Sequence, residues 1–115
     1  MVAMDLRLAL AAYVLPGLAI VLGIPMVLGA IPPNRFYGYR TRKTLGSTAI
    51  WYQGNRAAGW SMVLCGAAAL GHNLYLLHSH PEWPSDLKQI FMTVSAAVLL
   101  FAGLIFSGFY IRKLR

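Results

Sequence analysis

Between positions 32 and 56 the chain gathers side chains that hydrogen-bond or carry positive charge: Asn34, Arg35, Arg40, Thr41, Thr44, Asn55 and Arg56, with Tyr37, Gly38 and Trp51 among them. A guanidinium fork beside hydroxyls matches the geometry of a carboxylate or a phosphate. The same residue types also grip lipid phosphates and cap helix ends, so composition alone leaves a binding site and a purely architectural loop both open.

Other reactive side chains form weaker patterns. His78, His80 and Glu82, with Asp86 nearby, bring two imidazoles and carboxylates together, but a spacing this irregular is weak evidence for a metal site, and an exposed polar turn accounts for them better. Cys65 is the single cysteine, which excludes an intrachain disulfide or a cysteine-built zinc site. Nothing near it in sequence would activate its thiol, so it reads as a small buried residue. There are no paired carboxylates, no nucleophile and base motif and no glycine-rich phosphate loop. Binding is therefore expected rather than catalysis, and no cofactor or metal is implied.

The elements that hold these residues follow from hydropathy. Of 115 residues, 58% are hydrophobic and only 11% charged, against about 25% charged in a typical soluble domain. Leu8 to Ile31 is a run of 24 residues without Asp, Glu, Lys, Arg or His. Ala57 to Leu77 gives 21 residues whose strongly polar members are His72 and Asn73, and Ile90 to Ile111 gives 22 with no charge. Each reaches the roughly 20 residues that cross a bilayer as a helix. The expected fold is an all-α membrane protein: one domain, three transmembrane helices in a compact bundle, and a structured basic loop between the first two. The first run is too long for a secretory signal and starts with Asp5 beside Arg7, so a retained helix is expected. Pro16 and Pro25 inside it should kink or locally unwind it, with neighbouring helices satisfying the freed carbonyls.

Charge distribution sets the expected orientation. The first connection carries Arg35, Arg40, Arg42, Lys43 and Arg56 without an acid, and the tail adds Arg112, Lys113 and Arg115. The opposite side holds Arg7 and Lys88 with all three acids, Asp5, Glu82 and Asp86. Basic flanks stay in the cytoplasm, which places the N-terminus outside and the basic loop and C-terminus inside. A topology signal and attraction to anionic lipid headgroups account for the formal charge of +7, so no nucleic-acid partner is expected. Carboxylates are missing from all three spans, which argues against a proton-coupled exporter.

Within lipid, helices associate through close backbone approach at small residues. Ala57, Ser61, Cys65 and Ala69 recur every four residues in the second span; Ala96, Gly103 and Ser107 line one side of the third; the first offers Gly17, Gly23 and Gly29. Such seams serve a monomeric bundle or a homo-oligomer alike. His72 and Asn73 are expected to hydrogen-bond another helix or reach the outer interface. In the connector, Pro32 and Pro33 should end the first helix, Gly38 and Gly46 permit turns, and Ser47 is a candidate N-cap for a helix running through Trp51 and Asn55 into the second span. Trp51 and Tyr52 would then anchor at headgroup depth.

Pro33-Asn34-Arg35, the run Tyr37-Gly38-Tyr39-Arg40-Thr41, then Thr44, Ser47, Trp51 and Asn55-Arg56 followed by Gly59 resemble the signature of the SdpI family of bacterial membrane proteins. That family is named after an immunity protein against a secreted toxin. The resemblance implies a multi-pass protein of the bacterial inner (plasma) membrane, with a peptide toxin or a membrane protein as partner. The founding member protects its producer from an Sdp-type toxin and holds a transcriptional repressor at the membrane; it is longer, with additional spans, whereas this chain is a three-span form. Asn34, Gly38, Arg40, Thr41, Thr44, Trp51, Asn55 and Arg56 match the motif. On this reading Gly38 lets the loop turn and Trp51 packs it against the membrane face. Arg40, with Arg56, Asn34 and Asn55, either locks the connector or holds an anionic partner.

Overall fold

The computed structural model describes residues 6–114; Asp5 and Arg115, which count toward the charge at the two ends, lie outside the described residues. Four helices follow in order: α1 (Leu6–Val27), α2 (Arg42–Leu45), α3 (Thr48–His78) and α4 (Ser85–Arg112). α1, α3 and α4 are each long and apolar enough to cross a membrane. Much of their outer surface is Leu, Val, Ile and Phe, with Val21, Leu64, Val98, Phe101 and Phe106 all exposed, as a lipid-facing surface requires.

Local chemistry sets the helix ends. α1 stops at Val27, four residues short of the expected Ile31, and Pro32-Pro33 does not end it. Gly29 adopts φ +68° and closes a Schellman turn, its amide bonding the Met26 carbonyl at 3.2 Å and the Ala30 amide the Pro25 carbonyl at 3.0 Å. Glycine reaches that left-handed conformation without the Cβ clash other residues meet. Ser47 caps α3 as expected, its hydroxyl accepting from the Ile50 amide at 3.4 Å. With 31 residues, α3 is about 46 Å long, well beyond a hydrocarbon core of about 30 Å. The α1–α3 connector wraps its first turns, through Trp51 and Asn55.

α3 is the middle of the bundle: it packs against both α1 and α4, which touch each other less. The contact with α1 runs through Gly23 and Gly59, where a Cβ on Gly59 would lie 2.8 Å from the Gly23 carbonyl oxygen and 2.7 Å from the Val27 nitrogen. On the α4 side, Ser61 and Cys65 occupy the space that Gly103 leaves. The expected seam of small residues thus meets α4 at Ser61 and Cys65, while Gly59 and Gly66 meet α1.

Pro16 and Pro25, expected to kink or locally unwind α1, lie within one continuous helix, so no turn is unwound. Pro16 has no amide to offer the carbonyl four residues back, at Ala12. Asn73, fully buried on α3, donates its Nδ2 to that carbonyl at 3.2 Å, while its neighbour His72 is exposed. The bond replaces the one proline removes. Asn73→Leu is expected to destabilise the protein by about 1 kcal/mol, and by clearly less in a Pro16→Ala background, where the helix satisfies Ala12 itself. Unfolding the four members of this double-mutant cycle in mild detergent, followed by circular dichroism, checks it; equal losses in both backgrounds would separate Asn73 from Pro16.

Candidate functional site

The connector between α1 and α3 is held by side-chain amides. Asn34 uses its full hydrogen-bonding capacity on main chain: Oδ1 accepts from the Phe36 and Tyr37 amides at 2.8 and 2.7 Å, and Nδ2 donates to the Pro32 and Tyr37 carbonyls at 2.8 and 2.9 Å. This is an Asx-type turn, in which a short amide stands in for a backbone group and sets the first bend.

The second fastening comes from α3. Asn55, 2% exposed, accepts the Tyr39 amide on Oδ1 at 2.6 Å and donates Nδ2 to the carbonyls of Trp51 at 2.9 Å and Tyr39 at 3.4 Å. One side chain thereby grips both main-chain groups of Tyr39, as a neighbouring strand would. Trp51, one turn earlier, is wholly buried, and its Nε1 donates to the Ile31 carbonyl at 2.8 Å. It is a peg under the connector and not the headgroup anchor expected from its type. Gly38 crosses this ring and amide with φ +115°. A Cβ there would stand 2.7 Å from Asn55 Oδ1 and 3.1 Å from the Trp51 ring. Gly38→Ala is therefore expected to destabilise the connector by about 2–3 kcal/mol, combining backbone strain with overpacking. Trypsin digestion in detergent reads this as faster cleavage after Arg40 and Arg42, and unchanged digestion would refute it.

Thr41 and Thr44 complete the set. Thr41 caps α2 through a reciprocal capping box, the Thr41 amide donating to Thr44 Oγ1 at 2.8 Å and the Thr44 amide to Thr41 Oγ1 at 3.2 Å. Thr44, 1% exposed, also donates to the Tyr39 carbonyl at 3.0 Å. Two tyrosines then tie the connector to the outer helices. The Tyr37 hydroxyl donates to the Leu22 carbonyl on α1, and the Tyr39 hydroxyl to the Leu104 carbonyl on α4 at 3.4 Å. Burial pushes the Tyr37 phenol above its ordinary pKa.

The arginines behave differently. Arg35 and Arg40 are exposed, and among the described residues neither makes a hydrogen bond or ion pair. Arg56, also exposed, lies across the C-terminal turn of α1: its Nη2 would be 2.8 Å from a Cβ on Gly29. There its charge complements the negative end of the helix dipole. Asn34, Asn55, Trp51, Thr41 and Thr44 thus lock the connector, Gly38 makes room for it, Arg56 braces α1, and Arg35 and Arg40 take no part in the lock.

A family model described as the SdpI/YfhL protein family matches residues 30–111. The chain belongs to this family. It is also 32% identical over 94 residues to YfhL of Bacillus subtilis (strain 168), itself described as an uncharacterized protein, with 74% of each chain covered. No solved structure matches. The matched span begins inside the Schellman turn and takes in the connector, α2, α3 and α4 to Ile111, so in this SdpI-family protein it includes the whole fastened cap and the helices under it.

Three basic residues of this SdpI-family protein carry more structure than a charge count reveals. Arg42, Lys43 and Arg112 line one cavity beside Tyr39 and Thr41. Lys43 Nζ donates to the Arg112 carbonyl at 2.6 Å, and the Arg112 guanidinium sits 5.7 Å from the centre of the Phe109 ring. In sequence they read only as topology charges, since 69 positions separate Lys43 from Arg112 and no local spacing joins them. On the opposite end of the bundle, His80 stacks on Trp83 with ring centres 4.5 Å apart, and its Nδ1 lies 3.2 Å from Glu82 Oε1. Hydrogen bonds from the backbone and from His80 hold the Glu82 carboxyl below its usual pKa. Among the described residues no group of three or more His, Cys, Asp or Glu side chains is placed to hold a metal.

Proposed function

We propose that this multi-pass SdpI-family protein resides in the bacterial inner membrane with its connector and C-terminus in the cytoplasm, and that it acts in toxin immunity or envelope stress by binding a peptide or membrane-protein partner. The excess of basic residues on the connector and tail supports the orientation. Family membership supports the immunity role, because the family takes its name from an immunity protein. One observation carries the preference for binding over catalysis. The motif's buried polar side chains are committed to main-chain partners, while Arg35 and Arg40 stand exposed on a fastened loop with no partner among the described residues. Such preorganisation lowers the entropy lost when a cation meets an anionic partner.

The test is survival of a toxin-sensitive host challenged with an Sdp-type peptide toxin. Expression of the wild-type chain is expected to protect, and Arg40→Ala to lose most of the protection at an unchanged level of membrane-inserted protein. Absence of protection by well-expressed wild-type protein would overturn the immunity reading.

A further inference from the structure

Two cavities meet at Tyr39. The first, of about 420 Å³, is the basic one lined by Arg42, Lys43 and Arg112 together with Thr41 and Phe109. No acidic residue lines it, and Arg42 is exposed without an ion pair among the described residues. The second, of about 580 Å³, is an apolar groove between α1 and α4, the two of the three long helices that touch least. Leu18, Leu22, Phe101 and Leu104 form its rims, Ala19 and Ala58 belong to its floor, and Tyr39 lines both cavities.

Three features choose the occupant. Along α1 the groove runs from Leu15 to Met26, which at the helical rise is about 16 Å, close to the roughly 15 Å depth of one leaflet's hydrocarbon. Its rims are bulky and branched, whereas a packed transmembrane helix wants small residues across the whole contact; a narrow slot between large rims suits a single hydrocarbon chain. The end that opens toward the connector meets the basic cavity, so an apolar tail and an anionic head are accommodated in the order that a lipid presents them. Lys43 is held in position by its bond to the Arg112 carbonyl, and the ring of Phe109 faces the Arg112 guanidinium.

We infer that one anionic phospholipid of the connector-side leaflet binds here, its phosphate against Arg42, Lys43 and Arg112 and one acyl chain in the α1–α4 groove past Tyr39. The site is separate from Arg35 and Arg40 and does not depend on the immunity reading.

Native mass spectrometry of the full chain tests it, after incubation in mild detergent with equal amounts of phosphatidylglycerol and phosphatidylcholine bearing the same acyl chains. Wild-type protein is expected to retain one phosphatidylglycerol in preference by about tenfold or more. Combining Arg42→Gln, Lys43→Gln and Arg112→Gln should bring the preference close to parity. Ala97→Trp, which fills the groove from an exposed position, should reduce retention of both lipids, and Val98→Trp on the neighbouring lipid face should not. Circular dichroism verifies that each variant folds; if the triple variant does not, Arg42→Gln alone should lower the preference severalfold, since its side chain has no ion pair among the described residues to lose. Equal retention of the two lipids by wild type, or a basic variant with full preference, would overturn the inference. So would a wild-type dimer that Ala97→Trp splits, which would assign the groove to a second copy. Release of phosphatidylglycerol by inorganic phosphate, with retention unaffected by Ala97→Trp, would assign the basic cavity to a free anion and overturn it as well.

Discussion

Asn55→Ala is expected to destabilise the folded protein by about 3 kcal/mol and to free the connector, the largest effect of any single amide in the molecule. The buried side chain makes three hydrogen bonds, to the Tyr39 amide, the Tyr39 carbonyl and the Trp51 carbonyl. An alanine leaves the Tyr39 amide without its 2.6 Å acceptor in a place where water has little room, and each such orphaned group costs about 1–3 kcal/mol. Tyr39 is also bonded by Thr44 and donates its hydroxyl to α4, so its release loosens these ties as well. Asn55→Asp is a sharper control. It keeps an acceptor for the Tyr39 amide but turns the donating end into an oxygen facing two carbonyls, with a charge in a buried site, and should be at least as damaging. Denaturation in detergent followed by circular dichroism gives the stability, and trypsin sensitivity after Arg40, Arg42 and Lys43 gives the state of the connector. Wild-type values for both variants would show that the amide is not the fastening.

Trp51→Ala should be as severe, at about 3–5 kcal/mol, because it removes the largest fully buried side chain and leaves a cavity under Gly38. Trp51→Phe separates packing from hydrogen bonding. It keeps most of the ring but loses the Nε1 donor to the Ile31 carbonyl, which predicts a smaller loss of about 1–2 kcal/mol. Equal losses for the two variants would mean that the hydrogen bond, and not the packing, dominates. Because Trp51 and Asn55 sit one turn apart and hold the same loop, the double variant should cost less than the two single variants together.

The spans were legible because lipid imposes one rule on every residue of a long helix, and the runs starting near Leu8, Ala57 and Ile90 obey it. Ser47 was legible for a similarly local reason: an N-cap needs a hydroxyl immediately before the helix. The end of α1 was misread because two prolines at 32 and 33 look like the stronger stop, yet a glycine able to take positive φ at 29 closes the helix first. For Trp51 the motif points to a residue that packs the connector, as found, whereas its amphipathic type points to a headgroup anchor, and only the fold of the connector places Gly38 against its ring and buries it. The motif's polar residues were visible as a group, but the division between fastening amides and exposed guanidiniums depends on which partner each side chain meets. A bond from Asn73 to another helix is legible in its polar type, but the identity of the long-range partners is not. Asn73 meets Ala12 across 61 positions and Lys43 meets Arg112 across 69, and neither pairing leaves a periodic trace.

The topology we propose for this three-span protein turns its fastened, arginine-bearing cap to the cytoplasm. Single cysteines introduced as Arg40→Cys and Glu82→Cys in a Cys65→Ala background, and exposed to a membrane-impermeant maleimide, probe it from both sides. Glu82→Cys should react in intact cells, once any outer membrane has been made permeable, and Arg40→Cys only after the inner membrane is opened. Reaction of Arg40→Cys in cells with that membrane intact, or identical accessibility of the two positions, would contradict it.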